Sequence, residues 1–223
     1  MTKDIPDFLP LFIEALKKDK NSIAYLSLSG KLEDYLVKRF LVHIQSETKG
    51  HISAYTNFGS QKRKEGLRDI CLFDCDGKKD IIYSLVEAKY IESSVRDNYC
   101  GGQITKPLEE LDRQCPHFLK VKEFGGCKIN IKSESKSIYG LVFCCFKGYP
   151  KNDKKEYTDK KNKFFEDITK NKFAKKFKSI NKSKAELEIV FDDCNPKFGI
   201  NDSCYVTLRV GLWIKRNKQN NAL

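Results

Sequence analysis

Apolar residues recur at helical spacing early in the chain and at strand spacing through its middle. Leu32, Leu36, Phe40 and Ile44 fall four residues apart, and Val37 and Leu41 widen the stripe, so Gly30 to Gln45 reads as an amphipathic helix. Phe8 to Lys18 reads as a shorter helix after Pro6 and Pro10. His51 to Asn57 fits a short strand, and the polar, basic stretch Gly59 to Gly66 fits a loop. Leu67 to Cys75 alternates and is rich in β-formers, Asp76-Gly77 is a hairpin signal, and Ile81 to Tyr90 is a second, mostly apolar strand. Gly101-Gly102 precedes a predicted helix from Gln103 to about Lys122, with Pro107 in its first turns. Ile138 to Phe146 reads as a buried strand closed by Gly148 and Pro150. Lys151 to Lys184 is Lys-rich with aromatic residues at helical spacing, Leu187 to Phe191 and Tyr205 to Ile214 read as closing strands, and Lys215 to Leu223 as a polar tail.

The order is helix, three strands, helix, strand (αβββαβ), followed by an elaboration. A helix between the third and fourth strands implies a crossover, so the expectation is an α/β fold with a central mixed sheet flanked by helices. No internal repeat or clean linker divides the chain. One domain is expected, with a core at about 30–146, a Lys-rich helical elaboration at about 147–184 and closing strands at about 185–216.

Composition agrees with a packed core: of 223 residues, 40% are hydrophobic and 12% aromatic. The net charge of +12 points to a polyanionic partner. The nine cysteines are odd in number and lack compact spacing, which argues against a disulfide framework, and no CxxC pair offers a zinc or iron–sulfur site. Cys144 and Cys145 are adjacent and would point opposite ways on a strand. No segment has the length of a membrane span, and Met1 to Pro10 lacks a signal-peptide core, so a cytoplasmic protein is expected.

The chemistry is concentrated in Arg68-Asp69-Ile70-Cys71-Leu72-Phe73 and Leu85-Val86-Glu87-Ala88-Lys89. Side chains alternate along a strand, so Glu87 and Lys89 share a face. Antiparallel pairing about the hairpin would set Asp69 roughly opposite Glu87, bringing two carboxylates beside one ammonium group. Two close carboxylates repel, and a divalent cation relieves that cost. Oxygen donors in this number suit Mg2+. Glu47-Thr48-Lys49 and Glu134-Ser135-Lys136 have the same E-x-K spacing, but neither follows an apolar β-like run. The plain alternative for Glu87 and Lys89 is an ordinary ion pair at a strand end.

With these residues and this order of elements, Gly30 to Phe146 resembles the PD-(D/E)xK nuclease superfamily, the restriction-endonuclease-like nucleases. The resemblance implies a metal held at Asp69, Glu87 and Ala88, and a Lys89 that assists the attacking water. It implies Mg2+ as cofactor, with Mn2+ able to substitute. Glu33, on the first core helix, matches an acidic residue that often joins such sites, and Gln103 matches a recurrent Gln after the ExK strand. Helix-start roles compete for both: a favourable interaction with the macrodipole for Glu33 and terminal hydrogen bonding for Gln103. Arg68 stands where the family motif has its Pro. His43, at a position some viral members of the superfamily use, reads as a plain helix residue, and His43, His51 and His117 share no metal-ligand spacing.

Lys147 to Lys184 holds fourteen Lys against five acidic residues, a net +9. It reads as a nucleic-acid-binding face, with Phe164, Phe165, Phe173 and Phe177 holding it to the core, and Lys62, Arg63, Lys64 and Arg68 extending it. Lys makes poor bidentate base contacts, so such a face would position substrate more than read its sequence. The expected activity is that of an endonuclease cutting double-stranded DNA, in the manner of a type II restriction enzyme, with a homodimer expected by analogy. A ribonuclease with the same site, and a binding protein without chemistry, are the alternatives.

Overall fold

The computed structural model describes residues 5–29, 32–49, 52–59, 67–74, 81–93, 102–114, 123–124, 127–128, 137–148, 154–179, 186–191 and 204–215. Three helices come first: α1 (Ile5–Lys18), α2 (Lys20–Ser29) and α3 (Leu32–Thr48). Strands β1 (Ile52–Gly59), β2 (Leu67–Asp74) and β3 (Ile81–Glu92) follow, then α4 (Gly102–Gln114). A two-stranded ribbon, β4 (Glu123–Phe124) with β5 (Cys127–Lys128), precedes β6 (Ser137–Gly148). The chain continues through α5 (Lys154–Lys170), a 3-10 turn (Ala174–Lys176), β7 (Phe177–Ser179), β8 (Glu186–Phe191) and β9 (Cys204–Lys215).

Seven strands form one mixed sheet in the order β1-β2-β3-β6-β9-β7, with β8 also paired to β9. β3 and β6 are parallel, and every other pair is antiparallel. β6 pairs along β9 from Gly148↔Tyr205 to Tyr139↔Ile214, so β7 and β8 share β9's opposite edge, one at each end. The parallel pair is joined by the segment carrying α4, the crossover expected from the sequence.

The sheet separates two buried clusters. On one face α1, α2 and α3 cover Ile70, Val86, Ala88, Leu141, Phe143 and Cys145, together with the even-numbered apolar positions of β9. On the other, α4 and α5 cover Ile91, Val142, Cys144 and Phe146. Cys144 and Cys145 therefore face opposite ways, each buried and outside any disulfide.

Local signals explain most elements, and packing explains the exceptions. α1 contains Pro10 in its interior, which costs about 3 kcal/mol. The same helix buries Ile5, Phe8, Leu9, Phe12, Ile13 and Leu16, each contributing about 1.5–3 kcal/mol, so burial wins. α2 carries only a weak apolar stripe and went unforeseen; its Ile23 is fully buried in the α1–α3 cluster. The helix expected from Gln103 to about Lys122 is observed to Gln114, and 115–122 lie outside the described residues, as do the Asp76-Gly77 turn and residues 60–66. No helix among the described residues is long and apolar enough to cross a membrane.

Candidate active site

β2 and β3 pair from Asp74↔Ile81 to Ile70↔Val86, with one irregularity. Phe73 faces Ile82 but Leu72 faces Ser84, so Tyr83 is an extra residue in β3, a β-bulge. The bulge advances β3 by one residue. Past it, the register continued one step beyond Ile70↔Val86 sets Asp69 across from Glu87. Without it, Asp69 would face Val86 and the two carboxylates would stand on opposite faces.

The cluster assignments show which face they share. Ile70, Val86 and Ala88 belong to the α1–α3 side, so Asp69, Glu87 and Lys89 belong to the α4 side, with Ile91. There Lys89 Nζ donates to Glu87 Oε1 at 2.7 Å, and both are withdrawn from solvent, at 14% and 3% side-chain exposure. Asp69 Oδ2 accepts the Ala88 backbone N–H at 2.7 Å. The N–H and C=O of a strand residue point to the same neighbour, so the Ala88 carbonyl also lies on the Asp69 side.

Two helices bring further charge. Glu33 lies in the first turn of α3 and is exposed. Its pKa is raised, mainly by the desolvation of its surroundings; Lys89 opposes the rise, while Asp69, Glu110 and Asp34 add to it. Glu33 thus lies within electrostatic reach of Lys89 and Asp69, despite belonging to a helix that covers the other face. For Lys89, burial works against the charge, but Glu87, Asp69 and Glu33 outweigh it and the pKa is raised.

Glu110, half-buried on α4, is the acidic neighbour that sequence reasoning missed. It stands seven residues after Gln103 and so on the same stripe of α4, a periodicity that could have pointed to it. Gln103 occupies the first turn of α4, and its side chain lies outside the described residues. The close approach of α4 depends on Gly140, the β6 partner of Glu87. A Cβ at Gly140 would stand 3.0 Å from Leu111 Cδ2, so the missing side chain makes room for α4 beside Glu87.

Other candidates are placed elsewhere. His43 packs against Phe12 on α1, with ring centroids 6.4 Å apart, and its pKa is lowered, by burial first and Arg39 second, against an opposing effect of Glu47. It reads as a packing residue. Lys147 is a buried amine that the sequence did not single out. It donates to Glu92 Oε2 at 2.7 Å and to the Ser27 carbonyl at 2.8 Å, tying α2 to the sheet.

Glu87, Asp69 and Glu33 are three carboxylates acting on the Lys89 ammonium, with Glu110 acting on Glu33, an excess of negative charge that a divalent cation would offset. Among the described residues, no three or more His, Cys, Asp or Glu side chains are gathered closely enough to hold a metal by themselves. Mg2+ does not require that. It commonly uses one or two carboxylates and completes its shell with water and substrate phosphate. Asp69, Glu87 and the Ala88 carbonyl fit such a set. No protein-family model, curated protein or solved structure matches this chain.

Proposed function

We propose that this chain is a Mg2+-dependent nuclease that hydrolyses phosphodiester bonds in DNA, built on a restriction-endonuclease-like core of the PD-(D/E)xK type. The observation that carries this reading is the meeting of Asp69, Glu87 and Lys89 on one sheet face, just past the last β2–β3 ladder pair. The run α3-β1-β2-β3-α4-β6, with β3 parallel to β6, supports the core assignment.

Each residue has a role that follows from its surroundings. Asp69 is held by the Ala88 N–H, and its charge acts on Lys89. Glu87 is nearly dry, which strengthens its hold on a cation. Lys89 keeps its proton, because three carboxylates outweigh the cost of burying its charge. A protonated Lys89 donates to a phosphate oxygen, steadies the attacking water and stabilises charge as it develops. Mg2+, when bound, supplies Lewis acidity and lowers the pKa of a bound water.

The test is cleavage of supercoiled plasmid by the purified chain with Mg2+ or Mn2+, run beside an RNA substrate. Wild type is expected to cut DNA, and Glu87→Ala and Lys89→Ala are expected not to. Equal cutting by wild type and both variants would refute the reading, and cutting confined to RNA would move the substrate to RNA.

A further inference from the structure

The Lys-rich elaboration is not one uniform basic surface. α5 holds six Lys and four acidic residues, whereas 171–184 holds six Lys and no acid. On α5 the charges pair along the helix, Lys160 with Glu156 at 2.6 Å and Lys170 with Glu166. Lys163 lies between Asp159, four residues before it, and Asp167, four residues after it, so their fields largely cancel its own. The excess positive charge is therefore densest beyond the end of α5.

That corner is built to hold its lysines in place. Asn171 Nδ2 donates to Thr105 Oγ1 of α4 at 3.2 Å, and Asn171 Oδ1 accepts the Phe173 N–H at 3.0 Å. Lys176 pairs with Asp112 of α4. Thr105 and Asp112 are seven residues apart, so one side of α4 carries both anchors. The ring of half-buried Phe173 has Lys172 and Lys176 each 5.0 Å from its centroid. An aromatic face restrains ammonium groups this close. Lys172 and Lys175 are exposed and have no carboxylate partner among the described residues.

Position gives the corner a purpose. Glu110 lies on the opposite side of α4 from Thr105 and Asp112, and its charge acts on Glu33 beside Lys89. Leu111 of the same helix packs over Gly140, the β6 partner of Glu87, so the corner and the candidate active site lie on one face of the sheet on either side of α4. The outer stripe of α4 between them carries Lys106 and Arg113 with Glu109 three or four residues from each, so it adds little net charge.

We propose that Lys172 and Lys175 form a phosphate-binding corner that holds duplex DNA leading into the Asp69–Glu87–Lys89 centre. Its place relative to catalysis rests on the nuclease reading; binding itself does not. The outer face of α5 takes no part in it.

The experiment measures fluorescence anisotropy of a labelled 20-base-pair duplex across a range of NaCl concentrations, without divalent ions. The proteins compared are wild type, Lys172→Glu/Lys175→Glu, the milder Lys172→Gln/Lys175→Gln, and Lys160→Glu/Lys163→Glu on α5, each checked for an unchanged melting temperature. The corner variants are expected to bind at least 10-fold more weakly. The slope of log affinity against log salt should become shallower by about 2 in the Gln pair, at about 0.9 per lost phosphate contact. The α5 pair should lose less than 3-fold. Equal losses from both surfaces, or no loss from the corner, would overturn the proposal. So would tight binding to single-stranded RNA or anionic vesicles without binding to the duplex. Corner-dependent duplex binding by a protein that does not cut DNA would uphold the phosphate-binding corner and refute the nuclease.

Discussion

Asp69 Oδ2 accepts the backbone N–H of Ala88 at 2.7 Å, in the place where a strand carbonyl would otherwise pair. The contact serves two purposes. It satisfies a donor on a strand whose Ala88 side chain is fully buried, and it fixes the carboxylate beside Glu87. Asp69→Ala would leave that donor without its acceptor, so it is expected to cost about 1–3 kcal/mol of stability as well as activity. Asp69→Asn keeps an acceptor oxygen and should retain most of the stability while still losing at least about 100-fold in cleavage rate. Urea denaturation paired with plasmid cleavage separates the two effects, and an active Asp69→Asn enzyme would contradict the assigned role.

Lys89 and Glu87 form a dry ion pair, so the two partners should not be separable without cost. Lys89→Met removes the ammonium from a carboxylate that is 2% exposed and is expected to destabilise the fold by about 3–5 kcal/mol in EDTA. Adding Glu87→Gln to that variant should recover much of the loss. A double-mutant cycle by chemical denaturation checks the coupling, and additive losses would show that the pair does not interact.

Divalent ions should stabilise the folded chain through the same carboxylates. Saturating Mg2+ is expected to raise the melting temperature of wild type, because binding to the native state alone shifts unfolding by mass action. Glu87→Gln and Asp69→Asn should show little or no rise. Differential scanning fluorimetry with and without Mg2+, Mn2+ and EDTA gives this directly, and equal rises in all three proteins would place the ion elsewhere.

Gly140 should be intolerant of side chains because Leu111 occupies the space above it. Gly140→Val is expected to cost about 1–3 kcal/mol and to reduce cleavage by displacing α4. Leu111→Ala, costly alone, should make the Gly140→Val change milder when the two are combined. Thermal unfolding of the two single variants and the double variant tests this.

His43 predicts a loss of stability on mild acidification. Burial lowers its pKa in the fold below the ordinary 6.5, so the unfolded chain takes up its proton first. The stabilisation from neutral His43 is complete above about pH 6.5 and falls as pH drops from there towards the folded pKa. His43→Asn should flatten that limb of the pH–stability curve between pH 7.5 and 5.5, and an unchanged curve would assign the limb to other groups.

The sequence disclosed the αβββαβ order, the parallel crossover and the shared strand face of Glu87 and Lys89, because each depends on local periodicity or on chain order. Glu33 was legible as a first-turn acid. Whether it reached Lys89 depended on packing between α3 and the sheet. α2 was hidden because its ten residues carry little amphipathic signal, and its place comes from Ile23 in the core and the Lys147 bond to Ser27. Glu110 was hidden because its seven-residue spacing from Gln103 marks a shared stripe of α4 but not which neighbour that stripe faces. The Lys-rich stretch read as one face because composition does not show that Glu156 and Glu166 pair with lysines one turn away.

Tyr83, the extra residue of β3, gives insertions and deletions a leverage that point changes lack. A lineage that lost one codon between Ile82 and Ser84 could keep its hairpin and its apolar core while its acidic pair was split across the sheet. Such a chain would keep Asp69, Glu87 and Lys89 in its sequence and be one amino acid shorter, with its two carboxylates held apart by the sheet itself.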